Sequence, residues 1–176
     1  LLGLVVLLTA VTFRALRDDD RVAIVVYAGA SGLVLDSTPG SERRRILDAL
    51  DDLPPGGSTT GAAGIELAYT TAQQHKLPGR GAGVNRVILC TDGDFNVGVT
   101  STGDLTRLAE QKAKDTKVFL TVLGFGRGNL NDAMMEELSN KANGNYAFID
   151  SDAEARKVLV EQVQGTLVTI AKDVKI

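Results

Sequence analysis

The sequence predicts a doubly wound α/β fold: a mostly parallel sheet with helices on both faces and one antiparallel edge strand. Two observations lead to this prediction. Short β-branched or apolar runs alternate along the chain with longer amphipathic segments, which is the order expected of parallel βαβ units. In addition, the unbroken apolar run at 87–89 is soon followed by Thr-Asp-Gly-Asp at 91–94. That pattern is typical of a strand buried on both faces, whose carboxyl end is where open α/β sheets bind ligands.

Composition narrows the class of protein. The 176 residues, with 44% hydrophobic content, predict a single domain over residues 1–176 with a substantial core. The net charge is −3, and the Arg-Arg-Arg cluster at 43–45 starts a predicted helix, where we expect a solvated face. We therefore expect no nucleic-acid partner. The single cysteine, Cys90, lies in an apolar strand and is predicted to be a small core residue, which leaves no disulfide framework or thiolate metal site.

The first 13 residues are almost all apolar. A transmembrane span needs about 20 residues, and a signal peptide would carry an initiator methionine and a basic leader. We therefore expect a buried helix that ends near Arg17 and leads into an acidic turn at 18–20. Because the chain begins inside this predicted helix, we interpret it as a fragment, and residues 172–176 as the start of a following module. Any membrane anchor is expected in regions outside this chain.

The predicted edge of the sheet is an antiparallel pair. Residues 21–27 are β-branched, and a second short strand over 32–36 follows an Ala-Gly-Ala-Ser turn. A helix is predicted to begin at Ser41 and to end before Pro-Pro-Gly-Gly at 54–57. Three of its apolar side chains share one face: Ile46, Leu47 and Leu50.

The remaining elements alternate between helix and strand. Helices are predicted over 60–74, 104–114 and 131–141, and strands over 86–91, 118–123 and 146–149. The first of these helices directs three apolar side chains inward: Ile65, Leu67 and Ala68. A final helix, opened by Asp150 or Asp152, keeps apolar residues at a four-residue step and is expected to run to about residue 170.

Two loops carry groups that suit a hard cation. Gly-Gly-Ser-Thr-Thr-Gly at 56–61 opens a helix, so its hydroxyls are either N-caps or metal ligands. Asp92 and Asp94 follow a buried strand with a glycine between them, an arrangement that forms either a cation site or an acidic turn. The residues alone leave both alternatives open.

A third loop offers a different chemistry. Gly-Phe-Gly-Arg-Gly-Asn at 124–129 follows a strand and opens a helix, as a dinucleotide-binding loop does, and Asp150 lies where a ribose-binding acid is expected. Asn129 replaces the third glycine of that pattern, so a turn into a helix capped by Asn129 or Asn131 explains the loop equally simply.

No catalytic residues are predicted. The only histidine, His75, lies at the end of a helix beside polar residues, where we expect it to be exposed to solvent. The sequence has no second histidine and no reactive cysteine, so it offers little from which a catalytic nucleophile–histidine pair could be built. We expect a binding protein and not an enzyme.

Four blocks of sequence, at 19–29, 56–65, 86–93 and 120–126, together closely resemble a von Willebrand factor A domain, a Rossmann-like fold. Gly-Asn-Leu-Asn-Asp-Ala-Met-Met at 128–135, with Gly-Asn-Tyr at 144–146, resembles the bacterial branch described as calcium-activated-chloride-channel-like. Many members of that branch are anchored in the cell envelope. The resemblance therefore implies a bacterial envelope location, periplasmic or membrane-anchored.

The resemblance also implies a metal-ion-dependent adhesion site. Its threonine ligand maps onto Thr59, with Thr60 as the second candidate, and its aspartate ligand maps onto Asp92; Asp94 contacts the outer shell or only shapes the turn. Mg²⁺, or alternatively Mn²⁺ or Ca²⁺, would be left with an open coordination position. The family fills that position with an aspartate or glutamate carboxylate from a partner protein.

One family motif, Asp-x-Ser-x-Ser, is absent from this chain. The family places it at the end of a central strand just before the first helix, so we expect that strand and half of the ligands upstream of residue 1. The strands at 21–27 and 86–91 would then flank a gap, and two ligands alone should hold the ion poorly. Two alternative functions stay open: a nucleotide-binding domain using 124–129, and a metal-independent structural scaffold.

Overall fold

The computed structural model describes residues 16–27, 32–53, 61–75, 85–91, 101–125 and 132–158. The predicted alternation of strands and helices is confirmed there. The elements, in chain order, are β1 (Arg21–Val26), β2 (Gly32–Pro39), a 3-10 turn (Gly40–Glu42), α1 (Arg43–Asp51), α2 (Gly61–Gln74), β3 (Arg86–Thr91), α3 (Thr102–Thr116), β4 (Phe119–Phe125), α4 (Asp132–Lys141), β5 (Tyr146–Ile149) and α5 (Asp152–Arg156). The apolar segment at 1–13, the end of the final helix and residues 172–176 lie outside the described residues.

Strands β1 and β2 form the predicted antiparallel pair, with Arg21 opposite Pro39 and Val26 opposite Gly32. Strand β2 continues beyond the predicted end at 36, because the guanidinium of Arg21 donates to the hydroxyl of Ser37 at 2.8 Å and to its carbonyl at 2.6 Å. Thr38, the next residue, is buried and pairs with Val22. Pairing with β1, supported by this side-chain contact, therefore extends a segment whose composition is typical of a turn.

Strands β3, β4 and β5 form a parallel sheet in that order. One face packs against α2, α3 and α4, and its core contains these buried residues: Ile65, Tyr69, Val87, Leu89, Leu105, Leu120, Val122, Met135 and Leu138. On the other face, a smaller cluster joins the strands to residues around α5: Leu123, Phe125, Ile149, Ala155 and Val158. Helical residues therefore pack on both faces of this sheet, as the sequence predicts. Ile88 in β3 is nevertheless exposed in the described part of the chain, so the prediction that this strand is buried on both faces is not met there.

The two sheets remain separate in the described part of the chain, where β1 pairs with β2 and β3 pairs with β4, but β1 and β3 share no ladder. Helix α2 packs against strands of both sheets. This helix, and not a continuous set of hydrogen bonds, therefore joins the two groups of strands. Within the described ranges, no helix is both long and apolar enough to cross a membrane.

Several helix starts differ from the sequence predictions. The helix predicted from Ser41 begins with a 3-10 turn and becomes α-helical at Arg43; its arginines at 43–45 are exposed, as expected. Helix α3 begins at Thr102, before the predicted start at 104, because Ser101 accepts a hydrogen bond from the amide of Asp104. Ser151 caps α5 through the amide of Glu154, so neither of the two predicted aspartates is the cap. Serine hydroxyls are strong N-caps.

Candidate functional site

The four predicted metal ligands, Thr59, Thr60, Asp92 and Asp94, lie outside the described residues. Their positions in space therefore stay predictions. The structure does describe the residues that follow or precede them in the chain. Helix α2 begins at Gly61, directly after the first pair, and β3 ends at Thr91, directly before the second pair.

The carboxyl ends of the three parallel strands lie side by side. Thr91 at the end of β3 is paired with Gly124 of β4, which is itself paired with Phe148 of β5. Since the strands are parallel, the segments that follow them all leave from this one edge of the sheet. Asp92 is joined by a peptide bond to Thr91, whose side chain is buried.

The side chain of Tyr27 contacts both described elements that adjoin the predicted ligand segments, α2 and β3. Its hydroxyl donates a hydrogen bond to the backbone carbonyl of Cys90 across a distance of 2.6 Å, one residue before the end of β3. Its β- and γ-carbons lie against the backbone of Gly64, in the first turn of α2. In the sequence, this tyrosine is interpreted only as the end of a strand. The one sequence signal that could have indicated the contact is the glycine in the helix, because the missing side chain lets an aromatic residue approach the backbone closely.

The described residues contain no group of three or more histidine, cysteine, aspartate or glutamate side chains that could hold a metal ion. Cys90 is partly exposed as a residue, but it packs against the buried cluster on its face of the sheet. Burial raises the pKa of its thiol to about 12. The thiol is therefore protonated at neutral pH, and the contact of Cys90 with this cluster confirms the prediction that it is a packing residue.

His75 is exposed at the end of α2, as predicted, but its imidazole has a partner. Its Nε2 lies 2.8 Å from Oδ1 of Asp36 on β2. The same carboxylate oxygen accepts a hydrogen bond from the amide of Ser37 at 2.7 Å. These contacts connect the end of a helix to an edge strand, which is a structural role.

The glycine-rich loop predicted at 124–129 begins later than expected. Gly124 and Phe125 belong to β4, where they pair with Phe148 and Ile149, and the side chain of Phe125 is buried. Two of the six predicted loop residues are therefore part of the sheet ladder. Asp150, proposed for the ribose in the nucleotide alternative, is exposed directly after β5. Residues 126–131 lie outside the described ranges.

The family model of the von Willebrand factor type A domain matches residues 4–164. This chain belongs to the von Willebrand factor type A family. The resemblance seen in the sequence is thereby confirmed. Von Willebrand factor A domains are mainly modules of protein–protein interaction, and they commonly bind a divalent metal at a metal-ion-dependent adhesion site.

Two curated relatives match this von Willebrand factor A domain. "Uncharacterized protein YfbK" of Escherichia coli (strain K12) is 43% identical over 162 residues, which are 92% of this chain and 28% of the relative. "Magnesium-chelatase 60 kDa subunit" of Rhodobacter capsulatus is 32% identical over 101 residues, which are 57% of this chain and 17% of the relative. The chain thus spans less than a third of the length of these relatives.

Solved structures share the fold. "Von Willebrand factor type A from Catenulispora acidiphila" superposes with a TM-score of 0.77 at 16% identity and covers 94% of this chain and 38% of its own. Proximal thread matrix protein 1 from the mussel byssus, with a zinc-occupied metal-ion-dependent adhesion site, gives a TM-score of 0.61 at 17% identity, covering 90% and 40% respectively. At these identities the likeness shows the doubly wound α/β fold alone.

Proposed function

We propose that this von Willebrand factor A domain binds a partner protein through a divalent cation at the carboxyl edge of its sheet. Thr59 and Asp92 are the proposed ligands, with Thr60 and Asp94 as the second choices at the same two positions. The observation that carries the proposal is the carboxyl edge of the parallel sheet, where Thr91, which is paired with Gly124, is joined directly to Asp92.

The chemistry of the donor set fits a hard cation. A threonine hydroxyl and an aspartate carboxylate are oxygen ligands, which Mg²⁺, Mn²⁺ and Ca²⁺ prefer. Two such ligands leave most of about six coordination positions to other segments and to water. When bound, the cation would supply an electrophilic centre for a carboxylate. We infer that the partner presents an aspartate or glutamate side chain there.

We further propose that this domain recognises and does not catalyse. The described side chains offer no arrangement of nucleophile and histidine, and the exposed His75 is bonded to Asp36. A location in the bacterial cell envelope, periplasmic or membrane-anchored, is part of the proposal. It is supported by the resemblance of residues 128–135 and 144–146 to the envelope-anchored branch.

Calorimetric titration of the full-length natural protein with Mg²⁺ tests the metal site. We expect the wild type to bind and Asp92→Ala to lose binding. Asp150→Ala is the matched control, because it removes an exposed acid that follows another strand of the same sheet, β5, at the same edge. Equal binding by Asp92→Ala and the control would contradict the assignment, and absence of binding by the wild type would overturn the cation itself.

Further measurements on the full-length natural protein distinguish the alternative functions. A nucleotide-binding domain predicts that NAD or ATP raises the melting temperature and that Gly126→Ala abolishes the increase. A metal-independent scaffold predicts that neither cation nor nucleotide matters and that Asp92→Ala leaves partner binding intact. Our proposal predicts instead that chelation of divalent cations releases the partner.

A further inference from the structure

We propose that Asn143 is a deamidation site that the fold protects, because the turn between α4 and β5 holds the attacking amide away from the side chain. Asn143 is followed by Gly144, and no other asparagine in the sequence precedes a glycine. Glycine has no side chain to hinder the approach of its own amide nitrogen, so Asn-Gly is the pair most prone to this reaction. Asn143 is also exposed to water. The proposal is independent of cation binding.

The reaction needs no partner besides water. The backbone nitrogen of Gly144 loses its proton to the solvent and bonds to Cγ of Asn143, while the bond from Cγ to Nδ2 breaks and that nitrogen takes up a proton and leaves as ammonia. The product is a cyclic succinimide. Water then opens the ring. Cleavage between the Gly144 nitrogen and Cγ gives aspartate, and cleavage between that nitrogen and the main-chain carbonyl carbon of Asn143 gives isoaspartate.

Two hydrogen bonds close the turn that contains Asn143. The amide of Gly144 donates to the carbonyl of Ser139 across 2.9 Å, and the amide of Asn143 donates to the carbonyl of Asn140 across 3.2 Å. With Asn143 at a φ of 55°, these bonds form the Schellman motif, in which a residue just past the helix takes the left-handed conformation. The nucleophilic nitrogen is thus engaged as a donor, and its bond must break before it can attack.

The left-handed conformation of Asn143 also turns that nitrogen away from its target. A residue in this region has a typical ψ of about +47°. The nitrogen of Gly144 and the β-carbon of Asn143 then lie on opposite sides of the bond from Cα to the carbonyl carbon. Ring closure needs the two atoms on the same side. The reaction therefore requires a large rotation about ψ of Asn143.

Strand β4 opposes this rotation. The carbonyls of Ala142 and Asn145, on either side of the labile pair, accept hydrogen bonds of 3.3 and 2.9 Å from amides of β4. Gly144 lies between them, so close to the carbonyl of Leu120 that an added β-carbon would overlap it. Because rotation about ψ of Asn143 moves Gly144, the start of β5 must first separate from β4.

Reclosing the turn would not reverse the conversion. Isoaspartate carries the main chain through Cγ, so an extra carbon enters the backbone between two carbonyls that are both bonded to β4. Aspartate keeps the backbone but adds a negative charge just past the C-terminus of α4, where the helix dipole disfavours it. A chain that reacts while the turn is open is therefore left with a weaker junction between α4 and β5.

Incubation of the full-length natural protein with and without urea, at mildly alkaline pH, tests the proposal by peptide mass spectrometry. Cleavage after Lys141 and Arg156 releases a peptide that contains Asn143, in which conversion of the amide to the acid appears as a mass increase. The two turn hydrogen bonds, each worth about a fivefold change in an equilibrium constant, predict conversion about 25-fold slower in the folded protein. Equal rates in the folded and unfolded protein would overturn the proposal.

Asn143→Gly identifies the reacting residue. Glycine takes the left-handed conformation readily, so this variant keeps the turn but has no amide to convert at that position. We expect the mass increase of the peptide from the unfolded protein to disappear. An unchanged increase would assign the reaction to Asn145, which lies in the same peptide, and would overturn the proposal.

Two matched variants test whether the turn itself gives the protection. Leu138→Ala removes a fully buried side chain from the last turn of α4, and Ile46→Ala removes an equally buried one from α1. We expect folded Leu138→Ala to convert at least about fivefold faster than folded Ile46→Ala, as loss of one turn hydrogen bond would cause. Equal rates would show that only global unfolding exposes Asn143, which contradicts the role of the turn. If either variant does not fold, the comparison of folded and unfolded wild type still decides the proposal.

Discussion

The imidazole of His75 lies 2.8 Å from the carboxylate of Asp36, so the end of α2 is tied to the edge strand β2. Both side chains are substantially exposed, and exposed pairs of this kind contribute little. We expect His75→Ala to lower the free energy of unfolding by about 0.5 kcal/mol. Urea denaturation of the single and double variants measures the coupling. For Asp36, we use Asp36→Asn, since its side-chain amide oxygen can still accept the hydrogen bond from the backbone amide of Ser37. A coupling energy above about 1.5 kcal/mol between the two side chains would contradict the expectation.

Tyr69 places a hydroxyl in the core without a hydrogen-bond partner among the described residues. Its side chain is fully buried, and burial raises its pKa. Because Tyr69→Phe removes an unsatisfied polar group, we expect the free energy of unfolding to stay constant or to rise by up to about 1 kcal/mol. Thermal and urea unfolding test this. Tyr146→Phe, which removes a partnered hydroxyl, should instead destabilise, and a loss in Tyr69→Phe as large as in this control would refute the assignment.

We expect Cys90 to make the free energy of unfolding depend on pH in the alkaline range. The thiol has a pKa of about 12 in the folded chain, against an ordinary value of 9.0, because burial disfavours the thiolate. Unfolding therefore releases a proton between these values, so the stabilisation is complete below about pH 9 and is lost progressively as the pH rises toward 12. Urea denaturation across this range should show a steeper decline in the wild type than in Cys90→Ala.

A thiol reagent gives an independent check on Cys90. The native chain should react slowly at neutral pH and the urea-unfolded chain rapidly, because the thiolate is the nucleophile. Identical pH profiles for the wild type and Cys90→Ala, together with rapid native labelling, would show that the thiol is not buried.

Gly144 lies so close to β4 that a β-carbon there would overlap the carbonyl of Leu120. The added β-carbon is attached directly to the backbone, and the carbonyl is part of the backbone. No side-chain rotation can therefore relieve the overlap. We expect Gly144→Ala to lower the free energy of unfolding by about 2 to 3 kcal/mol. Gly103→Ala, in the first turn of α3, is the control, because the nearest atom lies 4.0 Å from the added carbon. It should be neutral or stabilising, and equal losses in both variants would argue against the overlap.

The sequence was most informative where element ends coincide with changes in residue chemistry. Strand β5 was predicted with its observed bounds, because Gly-Asn precedes it and Asp-Ser follows it. The ends of β2 and β4 were missed for a shared reason. Gly124 and the segment Asp-Ser-Thr-Pro at 36–39 have the composition of turns, yet pairing with a neighbouring strand keeps them extended. Tertiary contacts therefore outweighed local preference at both positions.

The candidate site was predictable only in part. Residue types and order indicate the family, which is confirmed. The two ligand positions that the resemblance implies, Thr59 and Asp92, lie outside the described residues and stay predictions. The contact of Tyr27 with Cys90 was not predictable in the same way. It joins a side chain to a backbone carbonyl 63 residues away, and hydrophobic periodicity carries no information about such a pair. The helix caps Ser101 and Ser151 were predictable in part. Serine is a typical N-cap residue, but neighbouring aspartates are equally good candidates for the same position.

The level ends of β3, β4 and β5 have a consequence for how such domains diversify. The three segments that leave this rim are anchored by ladders whose hydrogen bonds come from the main chain, and these bonds do not depend on the identity of the side chains beyond the last paired residue. Under the proposed function, substitutions in the segments that follow these strands would thus alter which partner is bound, while the framework beneath them is preserved. A homologue could acquire a new target by changing a few surface positions, without rebuilding its interior.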